Sequence, residues 1–422
     1  MADLRTEFAG IRSPNPFWLA SAPPTDKKYN VERAFRAGWG GAVWKTLGEP
    51  IVNATSRYGA VAYNGTRMMG FNNIELITDR PLDVNLREIK EIKRDWPDRA
   101  LVVSLMVPCT EADWRTILEE VEDSEADGVE LNFGCPHGMS ERGMGAAVGQ
   151  VPEYVEMVTR WCKQHTRMPV VVKLTPNITN ILGPARAAYK AGADAVSLIN
   201  TVASVVGVDL DRMAPLPTVD GLGTHGGYCG PAVKPIALRM VGDIARDDEA
   251  GGRPLSGIGG ISTWRDAAEF MAMGAGTVQV CTAAMHQGFK IVEDMIDGLS
   301  VWLDDKGHAS VCEVVGRAVP NYVEWGDLNL NYKLIATIDQ DLCIGCGLCH
   351  IACEDTAHQA IAKTRDNGRH RYAVIDDECV GCNLCHHVCP VEGCIAMVEV
   401  DTGLPPVRWA EHPANRQTCP AE

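Results

Sequence analysis

The sequence predicts an α/β protein that consists of a (β/α)₈ barrel followed by a smaller, cysteine-rich domain. The chain has 422 residues, enough for a barrel of roughly 250 residues and a second domain. Between positions 17 and 284, short apolar runs alternate with longer amphipathic stretches, as in repeated βα units. Ten of the sixteen cysteines follow position 340, so the last part of the chain requires its own explanation.

Eight apolar runs are predicted to be the strands of the barrel. They begin at Phe17 (FWLASA), Gly41 (GAVWKT), Ala100 (ALVVSLMV), Gly128 (GVELNFGC), Pro169 (PVVVKLTP), Ala195 (AVSLINT), Pro254 (PLSGIGG) and Thr277 (TVQVCTAA). A doubly wound open sheet is the alternative, and the count of eight favours the barrel. Since barrel enzymes carry their chemistry where strands end and βα loops begin, the residues that close these runs are the candidates for a site.

Four segments are expected along the chain: the barrel over 1–308, a linker or docking segment over 309–335, the cysteine-rich domain over 336–400 and a tail over 401–422. Apolar residues make up 46% and charged residues 22%, which excludes disorder, collagen and coiled coil as overall descriptions. The net charge of −16 predicts no nucleic-acid or anionic-membrane partner. No apolar run follows a basic stretch at the N-terminus, so we expect a soluble, cytoplasmic protein.

The tail cysteines form a doubled C-x₂-C-x₂-C-x₃-C pattern, which is typical of bacterial ferredoxin domains with two [4Fe–4S] clusters. In such domains the fourth cysteine of each run ligates the other cluster. The ligands expected for one cluster are Cys343, Cys346, Cys349 and Cys389. Those expected for the other are Cys379, Cys382, Cys385 and Cys353. Structural zinc is the alternative, although zinc sites normally show separated C-x₂-C pairs. Cys394 and Cys419 lie outside the pattern and are interpreted as packed or free thiols.

The last two barrel loops predict a phosphate site. The seventh run ends in Gly259 and Gly260, and the eighth ends at Cys281 and Thr282. Barrels use loops at these positions to bring backbone N–H groups up to a phosphate. A plain tight turn is the alternative. A phosphorylated cofactor is indicated, and FMN is the usual one beside iron–sulfur clusters.

Two lysines, Lys45 and Lys173, also close runs. A lysine in a barrel mouth is costly to desolvate unless it faces an anion, and reduced flavin is negative near N1 and O2. A surface salt bridge is the alternative for each.

Amide, hydroxyl and thiol groups follow other runs. The fourth run ends at Asn132 and is followed by Cys135, which is either catalytic or simply packed. Asn73, Asn200 and Thr201 add groups that would bind a ring with alternating carbonyl and N–H groups. The glycine-rich stretch over 138–149 is expected to be a mobile lid.

The residues that carry these features resemble the dihydropyrimidine dehydrogenase family, and within it the bacterial iron–sulfur and FMN subunit. The resemblance extends from about Asn15 to Met397 and rests on NPFWLASAPP, GWGGAVWKT, NNIEL, NFGCPHGMSERGMG, VVKLTPN, INT, GGYCGPAVKPIAL, GIGG, VQVCTA and the two cysteine motifs. The resemblance implies a barrel that binds FMN and a pyrimidine such as uracil or thymine.

Residue roles follow from the same resemblance. The implied FMN contacts are Ser21, Lys45, Thr46, Asn73, Lys173, Gly230, Gly259, Gly260, Cys281 and Thr282. The implied substrate contacts are Asn73, Asn132, Asn200 and Thr201. Cys135 is the implied acid/base, exchanging a proton at C5 while FMN N5 exchanges a hydride at C6. Members of the family often have serine where this chain has Gly134, which leaves one hydroxyl contact without a counterpart.

The sequence contains no dinucleotide fingerprint after a strand, so electrons must come from another protein. The resemblance implies an NADH-oxidising subunit with FAD and iron–sulfur clusters, and an assembly such as a homodimer within a heterotetramer. Two alternatives stay open at this point. One is a dihydroorotate dehydrogenase-like FMN enzyme acting on another unsaturated ring. The other is an electron-transfer module with a non-catalytic barrel.

Overall fold

The computed structural model describes residues 2–48, 58–63, 66–136, 143–366 and 368–415. Positions 138–142 of the predicted lid, the end of the predicted tail and Cys419 lie outside these residues. The chain divides into two compact units, residues 1–322 and 323–422. No helix among the described residues is both long and apolar enough to span a membrane.

The first unit is a closed barrel of eight parallel strands, and its strands are the eight predicted runs. This confirms the predicted fold class. In chain order the strands are Phe17–Leu19, Gly41–Leu47, Ala100–Leu105, Gly128–Asn132, Val170–Lys173, Ala195–Leu198, Leu255–Ile258 and Thr277–Val280. Each strand pairs in parallel with the strand before it, and the eighth pairs with the first.

Eight main helices follow the strands and cover the outside of the barrel. They span Lys28–Ala37, Leu82–Asp95, Glu111–Glu122, Pro152–His165, Leu182–Lys190, Lys234–Ala245, Trp264–Ala272 and Ile291–Asp305. Two short helices, Ala146–Gly149 and Thr282–Gln287, lie in the loops after the fourth and eighth strands.

The helix Glu111–Glu122 shows how the sequence forms these elements. The Thr110 hydroxyl caps the helix by accepting a hydrogen bond from the backbone N–H of Asp113 at 3.2 Å. Trp114, Ile117 and Val121 recur at helical spacing and are buried against the barrel. The periodicity and the cap therefore point to the same helix.

An antiparallel hairpin, Thr6–Phe8 and Ile11–Ser13, precedes the barrel. Phe8 and Ile11 form one buried cluster with residues near the amino ends of the strands, including Trp18 and Val171. The rings of Phe8 and Trp18 meet edge to face at 5.7 Å. The hairpin thus closes the end of the barrel opposite to the strand carboxyl ends.

The sequence prediction omits a second sheet that the structure contains. Four antiparallel strands come from the loops after the second and sixth barrel strands: Tyr58–Tyr63, Thr66–Asn73, Val202–Ser204 and Gly226–Cys229. The loop after the sixth barrel strand also contains two further small strand pairs. They are Val208–Asp209 with Ala214–Pro215 and Thr218–Val219 with Leu222–Gly223. These insertions extend the barrel wall at its carboxyl end.

Over the described residues of the second unit there are two antiparallel strand pairs and two short α-helices. Lys333–Ile338 pairs with Ile395–Val400, and Ile361–Asp366 pairs with Arg369–Val374. The helices span Leu348–Glu354 and Leu384–Val388. The apolar core of this unit is small and contains cysteines among its buried members.

Candidate active site

One cavity of about 1100 Å³ lies at the carboxyl ends of the barrel strands. All thirteen predicted FMN and substrate residues, together with the predicted acid/base Cys135, line this cavity: Ser21, Lys45, Thr46, Asn73, Asn132, Cys135, Lys173, Asn200, Thr201, Gly230, Gly259, Gly260, Cys281 and Thr282. The inserted sheet contributes an aromatic wall of Tyr58, Phe71 and Tyr228. Residues from the first to the last barrel strand therefore converge on one place.

A line of hydrogen bonds runs across the cavity from the first strand to the sixth. The Thr46 hydroxyl lies 3.1 Å from the Ser21 hydroxyl and accepts a hydrogen bond from the Asn132 amide at 3.0 Å. Asn200 Nδ2 donates to Asn132 Oδ1 at 2.9 Å, and Asn200 Oδ1 accepts from the backbone N–H of Thr201 at 2.8 Å. These bonds fix the orientations of the amides before any ring binds.

Lys45 is buried and paired with carboxylates. Its Nζ lies 2.7 Å from Glu75 Oε1 and 3.9 Å from Asp26 Oδ2. The Tyr58 hydroxyl donates to the other Glu75 oxygen at 3.1 Å. Burial raises the pKa of Asp26, although Lys45 and a hydrogen bond from Thr78 act in the opposite direction. The charge of this lysine is thus offset within the protein.

Lys173 has a similar partner. Its Nζ lies 3.4 Å from Oε1 of Glu130, a carboxylate that is fully buried in the fourth strand. The other oxygen of Glu130 accepts hydrogen bonds from Ser197 at 2.8 Å and from the amide of Gln279 at 3.1 Å. Both predicted cavity lysines therefore pair with glutamates that the sequence analysis did not single out.

Cys135 lies where the fourth βα loop leaves the barrel. It is buried and packs with Ile77, Met106 and Met144 in a small apolar cluster. Its carbonyl oxygen accepts the backbone N–H of Ala146 at 3.1 Å, which anchors this end of the loop. The thiol is thus held at the cavity wall by packing and by its own backbone.

Gly134, the residue before the thiol, leaves room for a neighbour. A Cβ atom at this position would lie 2.4 Å from Cβ and 2.7 Å from Nδ2 of Asn200. The Gly134 backbone N–H also donates to the side-chain Oδ1 of Asn132 at 3.2 Å. The glycine therefore permits the close approach of the two asparagines that line the cavity.

Glycines also form a cradle at the last two strands. Gly259 and Gly260 have φ of +125° and +76°, and Cβ atoms there would lie 2.9 Å from Ala237 and 2.7 Å from Lys234. Only glycine fits such backbone without strain. Backbone N–H groups in tight glycine turns are the donors that phosphates use, so this cradle fits the phosphate of a flavin nucleotide.

Two thiols flank the cradle. Burial raises the pKa of Cys281 to about 12 and that of Cys229 to about 11. The Thr282 hydroxyl donates to the Cys229 sulfur at 3.2 Å. Both side chains are therefore neutral at physiological pH and add no negative charge beside a phosphate.

The second unit contains two smaller cavities, each lined by four of the motif cysteines. One of about 310 Å³ is lined by Cys343, Cys346, Cys349 and Cys389. The other, of about 390 Å³, is lined by Cys353, Cys379, Cys382 and Cys385. The fourth cysteine of each run thus lies with the first three of the other run. The thiolate sets fit two iron–sulfur clusters.

Other groups surround these cysteines. The backbone N–H of Ala360 donates to the Cys353 sulfur at 3.2 Å, and that of Ala336 donates to the Cys379 sulfur at 3.4 Å. Cys394, outside the motif, lines the first of the two cavities.

Comparisons with known proteins agree with this arrangement. The model of the dihydroorotate dehydrogenase family matches residues 3–303, well over half of the chain. The chain belongs to the dihydroorotate dehydrogenase family. A second model, of a 4Fe-4S dicluster domain, matches residues 336–397.

Three individual proteins are similar to this chain over most of its length. The Escherichia coli K12 NAD-dependent dihydropyrimidine dehydrogenase subunit PreA is 43% identical over 360 residues, 85% of this chain and 87% of that protein. The chloroplastic NADP(+) dihydropyrimidine dehydrogenase of Arabidopsis thaliana is 40% identical over 337 residues, 77% of this chain and 79% of that protein. The catalytic subunit of the Pyrococcus abyssi NAD(+) dihydroorotate dehydrogenase B is 37% identical over 323 residues, 75% of this chain and 99% of that protein.

The resemblance to dihydropyrimidine dehydrogenases is therefore confirmed, and the chain is an oxidoreductase of this family. A flavin-dependent barrel and an iron–sulfur domain follow from the two family models.

Sequence reasoning missed three polar residues of the site: Glu75, Glu130 and Gln279. The last two interrupt otherwise apolar, buried strands, GVELN and TVQV. Since a charged or amide side chain in a buried strand must be paired, this interruption was a usable signal. Glu75 lies in a loop after the inserted sheet, where no periodicity marks it.

Proposed function

We propose that the chain is the catalytic subunit of a dihydropyrimidine dehydrogenase, which reduces uracil or thymine reversibly to the 5,6-dihydropyrimidine. One observation carries the proposal: Cys135, the amides of Asn73, Asn132 and Asn200, and the glycine cradle line a single cavity. Amides with alternating donors and acceptors suit a neutral ring that carries carbonyl and N–H groups.

The charges of the cavity favour a neutral base over a carboxylated one. The only lysines or arginines among the described lining residues are Lys45 and Lys173, and each is paired with a glutamate. A substrate carboxylate would require a cation of its own once water is excluded. Uracil and thymine impose no such requirement.

FMN is the proposed cofactor of the barrel. Its phosphate would be held at the cradle of Gly230, Gly259, Gly260 and Thr282, and its ring beside Lys45 and Lys173. Bound FMN supplies the hydride for C6 of the pyrimidine.

The protein supplies the proton and the orientation. Cys135 would donate a proton to C5 in the reductive direction and accept one from C5 in the oxidative direction. Asn73, Asn132, Asn200 and Thr201 would hold the ring, because their amides are already fixed by hydrogen bonds within the protein.

Two [4Fe–4S] clusters are proposed for the second unit. The ligands are Cys343, Cys346, Cys349 and Cys389 for one cluster, and Cys379, Cys382, Cys385 and Cys353 for the other. The clusters would carry electrons from an NADH-oxidising subunit with FAD and iron–sulfur clusters. The name of the Escherichia coli relative, a subunit of an NAD-dependent enzyme, supports a partner subunit. We propose an assembly such as a homodimer within a heterotetramer. We place the enzyme in the cytoplasm, where thiolates stay reduced.

Flavin reoxidation tests the proposal. The full chain is purified anaerobically, photoreduced and mixed with uracil, thymine or orotate, and the flavin absorbance is followed. Uracil or thymine should reoxidise the flavin in the wild type, and Cys135→Ala should slow this step about 10² to 10⁴-fold. Cys109→Ala, at a half-buried thiol outside the cavity lining, is the matched control and should react like the wild type.

A second candidate is dihydroorotate dehydrogenase-like chemistry, favoured by the family model over 3–303 and by the relative from Pyrococcus abyssi. Reoxidation by orotate alone would replace the first proposal with this one. If no pyrimidine reoxidised the flavin, both would be wrong.

A further inference from the structure

A buried carboxylate to which the proposed chemistry assigns no role contacts two residues that line the cavity. Glu130 is fully buried in the fourth barrel strand. An ionised carboxylate in such a place is strongly destabilising unless neighbours pair with it. Its neighbours therefore indicate why it is there.

Three side chains from three other strands meet this carboxylate. Oε2 accepts from the Ser197 hydroxyl at 2.8 Å and from Nε2 of Gln279 at 3.1 Å. Oε1 lies 3.4 Å from the ammonium of Lys173. Lys173 and Gln279 line the cavity, so Glu130 contacts two groups that face a bound molecule.

The carboxylate decides which way the Gln279 amide points. An ionised carboxylate can only accept hydrogen bonds, so Gln279 must turn its NH₂ group toward Glu130. The same NH₂ group lies 3.4 Å from the Ser256 hydroxyl. The Gln279 carbonyl oxygen is then buried without a hydrogen-bond partner among the described residues. A buried acceptor of this kind needs a donor.

Lys173 is held beside this acceptor. Among the described residues, Glu130 is its one ion-pair partner, and an ammonium has three N–H groups to donate. The cavity floor thus offers a cationic donor and a neutral acceptor, both fixed by one carboxylate. The pyrimidine edge of a flavin has the complementary set, with acceptors at N1 and O2 and a donor at N3–H.

We infer that Glu130 is a positioning residue for the flavin, which aims the Lys173 ammonium and the Gln279 carbonyl at the pyrimidine edge of the ring and lowers the flavin potential by offsetting the lysine charge. The inference rests on the proposed function only in taking FMN as the occupant of the barrel.

Flavin affinity and potential test this role. The full chain with its clusters is freed of FMN, titrated with oxidised FMN by fluorescence quenching, and then studied by anaerobic spectroelectrochemistry. Glu130→Gln keeps the shape and removes the charge. Because a glutamine at 130 can donate as well as accept, the Gln279 amide loses its fixed orientation.

For Glu130→Gln we expect the Kd for oxidised FMN to rise at least tenfold while that for reduced FMN stays the same, because Lys173 then attracts the reduced ring more strongly. A tenfold change in this ratio raises the two-electron midpoint potential by about 30 mV. Glu130→Asp should restore part of the affinity for oxidised FMN and part of the wild-type potential. Ser197→Ala is the matched control, since it removes one hydrogen bond to the same carboxylate and leaves its charge; its potential should match that of the wild type.

Several results would overturn the inference. A folded Glu130→Gln chain with wild-type affinity and potential would show that the carboxylate is structural only, and so would weaker binding with no change of potential. If Glu130→Gln does not fold, Gln279→Met decides: it removes the acceptor, and an oxidised-FMN Kd raised less than fivefold would overturn the inference.

The proposed function is tested separately. A shifted potential in a chain whose flavin no pyrimidine reoxidises would refute the proposed substrate and retain the positioning role. If uracil reoxidised the flavin and Glu130→Gln had no effect on affinity or potential, the proposed substrate would be retained and the positioning role refuted. A wild-type chain that binds no FMN would refute both.

Discussion

Gly134→Ser is the substitution whose effect the structure specifies most closely. The new Cβ would lie 2.4 Å from Cβ of Asn200, whereas carbon atoms in contact normally stay 3.5–4.0 Å apart, so one side must move by about 1 Å. The φ of Gly134 lies outside the left-handed region that favours glycine, so the backbone itself accepts a side chain. The whole penalty therefore falls on the contact with Asn200.

The magnitude follows from that contact. Overpacking of a tight interior costs about 1–3 kcal/mol. Moving Asn200 also breaks its 2.9 Å hydrogen bond to Asn132, which costs about 1 kcal/mol more. We expect the free energy of unfolding of the barrel to fall by about 2–4 kcal/mol. Because Asn200 lines the cavity, the KM for uracil should rise at least about tenfold.

Urea unfolding of the full chain, followed by tryptophan fluorescence, measures the first effect, and steady-state reduction of uracil measures the second. Gly134→Ala measures the effect of the added Cβ without that of the serine hydroxyl. Gly276→Ala is the matched control, since the nearest atom to its added Cβ would be the Leu255 carbonyl oxygen at 3.9 Å.

A double variant sharpens the test. Adding Asn200→Gly to Gly134→Ser removes the overlapping side chain, so stability should recover while substrate affinity should not, because the amide is gone. If Gly134→Ser alone unfolded within about 0.5 kcal/mol of the wild type and kept its KM, the steric reasoning would be refuted.

Three further predictions concern other parts of the chain. Glu75→Gln removes one partner of a buried pair that is 2.7 Å apart and should lower the free energy of urea unfolding by about 3 kcal/mol; a change below about 0.5 kcal/mol would contradict this. Hydrogen bonds from Arg186 hold the pKa of Asp247 below its ordinary value, so its stabilising effect is complete above about pH 4 and is lost as the pH falls. The urea midpoint of Asp247→Asn should therefore lie below that of the wild type at neutral pH, and the difference should shrink below about pH 4; a constant difference would count against the assignment. Cys389→Ser should reduce iron from about eight to about four atoms per chain, whereas Cys394→Ser, in the same cavity, should keep all of it; equal loss in both would refute the ligand set.

The barrel could be predicted from the sequence because each of its strands is apolar and buried on both sides. The run from Gly41, for example, is buried along its whole length, and such runs between amphipathic helices are a strong local signal. The inserted sheet gave no such signal. Val202–Ser204 is only three residues long and half-buried or exposed. Its partner strand, Gly226–Cys229, pairs in turn with Thr66–Asn73 from the loop after the second barrel strand, so the sheet depends on the tertiary fold.

The residues of the candidate site could also be predicted only in part. Residues that close a strand, such as Lys173, could be named because the fold places every strand end at one rim. The counter-charges could not be assigned from position alone. Glu75 reaches Lys45 from 30 residues away, and Glu130 and Lys173 lie on neighbouring strands, where Asn132, not Glu130, is opposite the lysine in the register. Which carboxylate meets which ammonium depends on side-chain direction inside the barrel.

This placement of charges bears on how the site selects its substrate. A cavity with two unpaired lysines would bind anions generally, and any carboxylate could then compete for it. Here the Glu75 and Glu130 carboxylates offset both ammonium groups, while hydrogen bonds between Asn132 and Asn200 leave neutral amides facing the cavity. The lysines can still respond to negative charge that develops on a bound ring, because a nearby carboxylate offsets an ammonium without removing it. The paired lysines therefore attract ground-state anions less strongly but can still stabilise negative charge that develops during reduction. An enzyme must create this difference between the substrate and the transition state.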